Sequence, residues 1–380
     1  MNTILNEKNH STGKKLGLID CDVHPYMQTP DELAPYMDEA LQKRFNLGDF
    51  KNSLKGVNMY IDEFKPSIAR YENPGALKGI RLDAITPSGG SPGSDVNFLG
   101  KDLLDRDQTE CAILNAGGGV MAAYHNVDLA AGYNSAYNDW LYNEWVKKDK
   151  RLRMTMMVTP LDPISSVKEI ERIGKRKEIV GINLQSINIP LGKRHFDPIY
   201  EIAQEYGLPI VLHPDAEGSG EYAPTQAVGP ASTYMEFHSS LALVAQRQIM
   251  SLVCEGTLVK FPKLKFVFIE YGFSWMPSVM WRLDKNWKGL REEIPWIKEL
   301  PSNYIKRNIR LGTQPSEEPF KRTHLLDIIE MANAEDMLLY CSDYPHWDGD
   351  PSDKVFSQFP EKMKNKIFHE NAKETFNLGI

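Results

Sequence analysis

Cysteine is scarce in this chain. Four residues, Cys21, Cys111, Cys254 and Cys341, stand far apart among 380, and no two form a CxxC pair. That spacing excludes a disulfide framework and fits a reducing compartment. No run approaches ~18 consecutive apolar residues, so no membrane partner is expected. The opening MNTILNEKNHSTGKK lacks the apolar core of roughly 7–15 residues that a signal peptide carries, and a cytoplasmic protein is expected. No Lys/Arg cluster interrupts a balance of 44 basic against 51 acidic residues, a net charge of −7, which argues against nucleic acid as a partner. No GxGxxG follows the first predicted strand, which argues against a dinucleotide site.

What is present is an ordinary soluble composition, 42% hydrophobic and 25% charged, on a chain long enough to bury a large core. Eight short apolar runs recur between turn signals: 17–24, 111–118, 152–160, 180–186, 209–214, 265–272, 309–313 and 337–345. Most are continuous rather than alternating, as in parallel strands covered by helices. Helix-period segments at 129–149, 165–175, 197–207 and 242–262 fall between them. The alternation predicts an α/β fold, a (β/α)8 TIM-like barrel, with a doubly wound sheet as the alternative. Residues 1–15 read as a disordered tail and 16–380 as the barrel. The interval 25–110 is too long for one helix and reads as a cap inserted between strands one and two. Its Gly/Ser/Pro-rich stretch 86–95 has the composition of a lid loop.

In such barrels, reactive groups lie at the C-terminal ends of strands. Strand one ends in Asp22-Val23-His24, strand five in His213, strand six in Glu270 and strand eight in Asp343. Three carboxylates and two imidazoles there predict a divalent transition-metal site with open positions. His238, just before the long helix after strand five, leans toward that site. His346 reads as a structural neighbour of Trp347, and Arg282 with Asp284 as an ion pair. A salt bridge from Glu270 to a nearby arginine such as Arg282 is the purely structural alternative for that carboxylate. His10 and His369 read as structural or solvated, and His125 and His195 lie in loops after strands two and four with no evident partner. Cap aromatics Tyr60, Phe64 and Tyr71, with Trp275 and Trp347, suggest a planar or apolar small-molecule ligand.

The ordered set CDVHP (21–25), DPIYEIAQEYGLPIVLHP (197–214), FPKLKFVFIEYGFSWMPSVMWRLDKNW (261–287), LLYCSDYPHWDGDP (338–351) and IFHENAKETFNL (367–378) resembles the amidohydrolase superfamily. The likeness is to its amidohydrolase-related branch, which includes 2-amino-3-carboxymuconate-6-semialdehyde decarboxylase. The resemblance implies that Asp22, His24, His213 and Asp343 bind the metal. Two departures stand out: the first-strand pair is DxH where HxH is common, and Glu270 replaces the histidine that family decarboxylases typically carry on strand six. The family also implies a possible homo-oligomer.

Three functions remain in view. The first is metal-dependent hydrolysis of a C–N, C–O or C–S acyl bond, with zinc (or manganese or iron) activating water. There Asp343 would take the proton, Glu270 would shuttle protons or ligate, and His238 would stabilise the oxyanion. An ionised Glu270 beside the metal favours this reading, because it would repel a substrate carboxylate. The alternative is non-oxidative decarboxylation of an aromatic or unsaturated acid by a metal-dependent lyase, with Glu270 or His238 as the acid. The third is a metabolite-binding barrel without catalysis.

Overall fold

The computed structural model describes residues 17–44, 76–77, 80–116, 126–214, 231 and 233–380. The N-terminal tail, the cap aromatics Tyr60, Phe64 and Tyr71, and the histidines His10 and His125 lie outside these residues.

The eight apolar runs become eight strands: β1 (Leu18–Val23), β2 (Thr109–Leu114), β3 (Leu152–Met157), β4 (Ile179–Asn183), β5 (Ile210–Leu212), β6 (Phe266–Phe268), β7 (Ile309–Gly312) and β8 (Leu338–Leu339). All neighbours pair in parallel and the sheet order follows the chain. The two ends of the sheet meet where Cys21 N donates to Tyr340 O at 2.9 Å and Asp343 N donates to Asp22 O at 3.1 Å. This is the (β/α)8 barrel, and the doubly wound alternative falls away.

Helices return the chain between strands: α1 (Val127–Leu141), α2 (Pro163–Ile173), α3 (Asp197–Tyr206), α4 (Tyr234–Cys254), α5 (Met276–Leu290), α6 (Pro301–Asn308) and α7 (Thr323–Ala332). Their ends follow local chemistry. The Asp162 side chain accepts from Ile164 N and Ser165 N ahead of a Pro at the first position of α2. The α3 helix stops at Gly207, whose φ of +67° is left-handed. Asp284 is not an ion-pair partner of Arg282, as the sequence suggested. Its carboxylate accepts from Ser302 N and Oγ at 2.9 and 2.8 Å, and so satisfies the exposed donors that open α6.

Two packed layers result. Small inward side chains, among them Ile19, Cys21, Cys111, Ile113, Val180, Val211, Val267, Ile269, Leu339 and Cys341, fill the barrel interior. Ala372, Phe376 and Leu378 from the C-terminal segment pack on the same cluster. Larger outward residues, such as Leu18, Met154, Ile182, Ile210, Phe266 and Phe268, join the helices in the main core. Burial of this apolar surface, at ~25 cal/mol per Å2, is the chief stabilising term, and it leaves the C-terminal strand ends free for polar groups.

Candidate metal centre

Three local departures from regular strand geometry aim the polar groups inward. Ile19 and Cys21 point into the barrel, so strict alternation would send Asp22 outward. The β1–β2 register shifts between Asp20 and Val23, and beyond that bulge Val23 joins the outer core while Asp22 and His24 enter the mouth. Glu270 and Asp343 adopt left-handed backbone, with φ of +64° and +59°. Non-glycine residues are strained there, and such strain concentrates at functional sites.

The outcome is one buried cluster. Asp22, His24, His213, Glu270 and Asp343 each offer a ligand atom, and these atoms all lie within 4.8 Å of one another. His24 Nε2 is 3.3 Å from Asp22 Oδ1 and 3.1 Å from Asp343 Oδ1. His213 Nε2 is 2.7 Å from Glu270 Oε2 and 3.9 Å from Asp22 Oδ2. The five sequence-predicted strand-end residues therefore converge. His238 reaches in from α4, with Nε2 3.7 Å from Glu270 Oε1 and 3.3 Å from Asp348 Oδ2. Its ring lies near Tyr234 and Trp347, with centroids 5.6 and 6.1 Å away.

Charge explains why this set suits a cation. Burial works against ionising Glu270, yet His213 and His238 outweigh it and hold the carboxyl well below its usual range. At Asp343 burial wins over His346 and, reinforced by Glu270, pushes the carboxyl well above its usual range. Three buried carboxylates cannot all ionise cheaply beside two imidazoles. Asp22 Oδ2, fully buried, has no hydrogen-bond donor among the described residues. An oxygen-and-nitrogen donor set with an uncompensated carboxylate oxygen fits a divalent transition metal.

Around these groups stands an outer ring, of which the sequence singles out only His346. Asn115 Nδ2 donates to Asp22 Oδ1 at 2.9 Å and is itself oriented by Thr155, whose Oγ1 donates to Asn115 Oδ1 at 2.7 Å. Gln314 Nε2 donates to Asp343 Oδ2 at 2.8 Å and to Asp348 Oδ2 at 3.1 Å. Asp20 Oδ1 accepts from the backbone of Ser342 and Asp22. His346 is not merely packed beside Trp347. Its Nδ1 lies 2.6 Å from Asp343 Oδ1 and its ring stacks on His24 at 4.5 Å. The i, i+3 spacing from Asp343 was the available signal. His195 and His369 lie away from the site: His195 Nε2 bonds Pro160 O, and His369 Nδ1 bonds Gly17 O. The suggested Glu270–Arg282 pairing is replaced by the contacts to His213 and His238.

A parallel barrel carrying a buried carboxylate–imidazole cluster at its strand ends defines the metal-dependent barrel enzymes. The amidohydrolase family model matches residues 19–378, and the chain belongs to that family as an enzyme of the amidohydrolase superfamily. No curated protein matches it in sequence. Among solved structures, an amidohydrolase from Mycobacterium avium subsp. paratuberculosis K-10 is similar at TM-score 0.67 and 19% identity, over 96% of this chain and 100% of that one. A 5-carboxyvanillate decarboxylase from Sphingomonas paucimobilis has TM-score 0.66 and 19% identity, over 95% and 99%. A dihydroxybenzoic acid decarboxylase from Polaromonas sp. JS666, with bound manganese and 2-nitroresorcinol, has TM-score 0.63 and 20% identity, over 96% and 98%.

These last two relatives overturn the hydrolase expectation: they are decarboxylases of aromatic acids. The geometry removes the argument that had favoured hydrolysis. Glu270 does not face an incoming carboxylate alone, because His238 approaches its Oε1 at 3.7 Å. No helix among the described residues is long and apolar enough to cross a membrane.

Proposed function

We propose that this protein is a divalent-metal-dependent, non-oxidative decarboxylase of an aromatic or unsaturated carboxylic acid. The observation that carries the reading is His238. It is the titratable group of the site that comes from a helix rather than a strand end, it is 16% exposed, and it sits over Glu270 with Asp348 beside it. Burial disfavours its charged form, but Asp348 and Glu270 outweigh that and hold the imidazole well above its usual range. An imidazolium beside the mouth is the acid a decarboxylase needs. Glu270, held ionised, is a poor acid, so of the two candidates His238 takes the role.

Asp22, His24, His213 and Asp343 would hold the ion, with zinc the expected metal and manganese supported by the Polaromonas relative. A divalent ion there supplies positive charge that binds and orients the acid's oxygens. The residues do the rest. His238 delivers its proton to the carbon bearing the carboxylate, the carbon–carboxyl bond breaks, and its electron pair remains with the carbon as CO2 departs. Glu270 and Asp348 hold the proton on His238 until transfer, and solvent restores it. Carbon dioxide release from a panel of hydroxybenzoates and carboxymuconate-like acids by metal-loaded enzyme tests the proposal. Release from at least one acid, abolished by chelation, is expected; turnover of none contradicts it.

A further inference from the structure

Asp343 is held by three side chains. Oδ1 faces His24 Nε2 at 3.1 Å and His346 Nδ1 at 2.6 Å, and Oδ2 accepts from Gln314. His346 does not end the chain of contacts, because its Nε2 lies 2.8 Å from the Tyr26 hydroxyl. The ring therefore bridges Tyr26 and Asp343 through its two nitrogens. In the neutral ring with the phenol hydroxyl as donor to Nε2, the ring proton sits on Nδ1 and points at Asp343.

Tyr26 is in turn anchored to the cap. Its backbone N donates to Gly93 O at 2.7 Å. Gly93 has φ of +71°, and a Cβ there would stand 2.6 Å from His24 O, 2.9 Å from the Tyr26 ring and 3.3 Å from Pro345. Only glycine allows the cap loop to seat this closely on the ring and on the residue that follows Tyr344. The stretch 86–95 is thus joined to the barrel mouth at Gly93, whatever freedom its remainder has.

We propose that Tyr26 and His346 form a positioning chain that transmits the seating of the cap loop to Asp343 and thereby sets metal affinity. Neither residue touches the metal; both act through the carboxylate they orient. Outer partners of this kind typically change metal affinity by ~10–100-fold when removed. The proposal rests on Asp343 being a ligand.

The test is metal affinity, measured by competition with a chromophoric chelator using manganese and zinc salts, on four variants of the full chain. Tyr26→Phe removes the hydroxyl. His346→Asn keeps a donor near the Nδ1 position and loses the reach to Tyr26. The double variant combines them, and Asp343→Ala tests the ligand itself. Tyr26→Phe is expected to weaken binding ~10-fold in the wild-type background and to have no further effect beside His346→Asn, the signature of two residues acting in series. Thermal melting of the chelated proteins should stay within a few degrees of wild type, which separates positioning from general loosening. Equal, additive losses, or unchanged affinity in Tyr26→Phe, overturn the chain while leaving the ligand assignment standing. Unchanged affinity in Asp343→Ala overturns both.

Discussion

His213 Nε2 lies 2.7 Å from Glu270 Oε2, joining the end of β5 to the end of β6 across the barrel mouth. The contact places a carboxylate where it compensates two imidazoles at once, since Glu270 Oε1 also faces His238. On the proposed reading, Glu270 supports His238 as the acid and is not itself the proton donor.

Metal content should follow the ligand assignment residue by residue. Purified protein is expected to hold about one divalent ion per chain, and Asp22→Ala, His24→Ala and His213→Ala should each reduce it well below stoichiometry. Elemental analysis of dialysed protein reads this directly. Full occupancy in His213→Ala would remove that residue from the set.

Loss of the acid should separate from loss of the metal. His238→Gln is expected to lower kcat by ~10²–10⁴-fold, the range for removing a general acid, with metal content unchanged. Steady-state kinetics beside elemental analysis decide it. A variant that keeps kcat would move the proton source elsewhere.

Asp20 makes a pH prediction. Burial outweighs its bonds to Ser342 and Asp22 and pushes its carboxyl up to about 7. The folded state therefore binds this proton more tightly than the unfolded chain does. The stability so gained is complete below about pH 4 and is lost as pH rises through 7, roughly 4 kcal/mol at most. In chelated protein, Asp20→Asn should raise the melting temperature relative to wild type more at pH 8 than at pH 5. An equal shift at both pH values would show that Asp20 does not carry the linkage.

Two glycines in the stretch 86–95 should respond differently to alanine. At Gly89, φ +82°, a methyl group would meet nothing within 4 Å, so Gly89→Ala costs only backbone strain, on the order of 1 kcal/mol. Gly93→Ala adds the close approach to His24 O and the Tyr26 ring and should cost ~2–4 kcal/mol, because a main-chain oxygen cannot swing aside. Chemical denaturation of both variants provides the comparison.

The barrel and five of its polar groups were legible because parallel strands announce themselves as unbroken apolar runs, and because a reactive residue at a strand end is the last polar letter of such a run. Asp22, His24, His213, Glu270 and Asp343 all met that description. Asn115 also follows an apolar run, yet an amide offers no metal-ligand signal. Gln314 and Asp348 lie in loops whose approach to Asp343 depends on how β7 and β8 pair. The bulge in β1 was invisible as well, since it changes which side Asp22 faces without changing any letter. His346 was misread for a similar reason: its neighbour in sequence is Trp347, whereas its partners in space are Asp343 and Tyr26, the latter 320 positions away. Least legible was the setting of Glu270, whose contacts with His213 and His238 join groups far apart in the sequence.

The most direct measurement runs the reaction in deuterium oxide with an acid carrying carbon-13 in its carboxyl group. Decarboxylation assisted by His238 predicts labelled carbon dioxide equal to the acid consumed, one deuterium at the carbon that lost it, and no turnover after chelation. Consumption of the acid without labelled carbon dioxide, or release that persists without metal, would contradict the account.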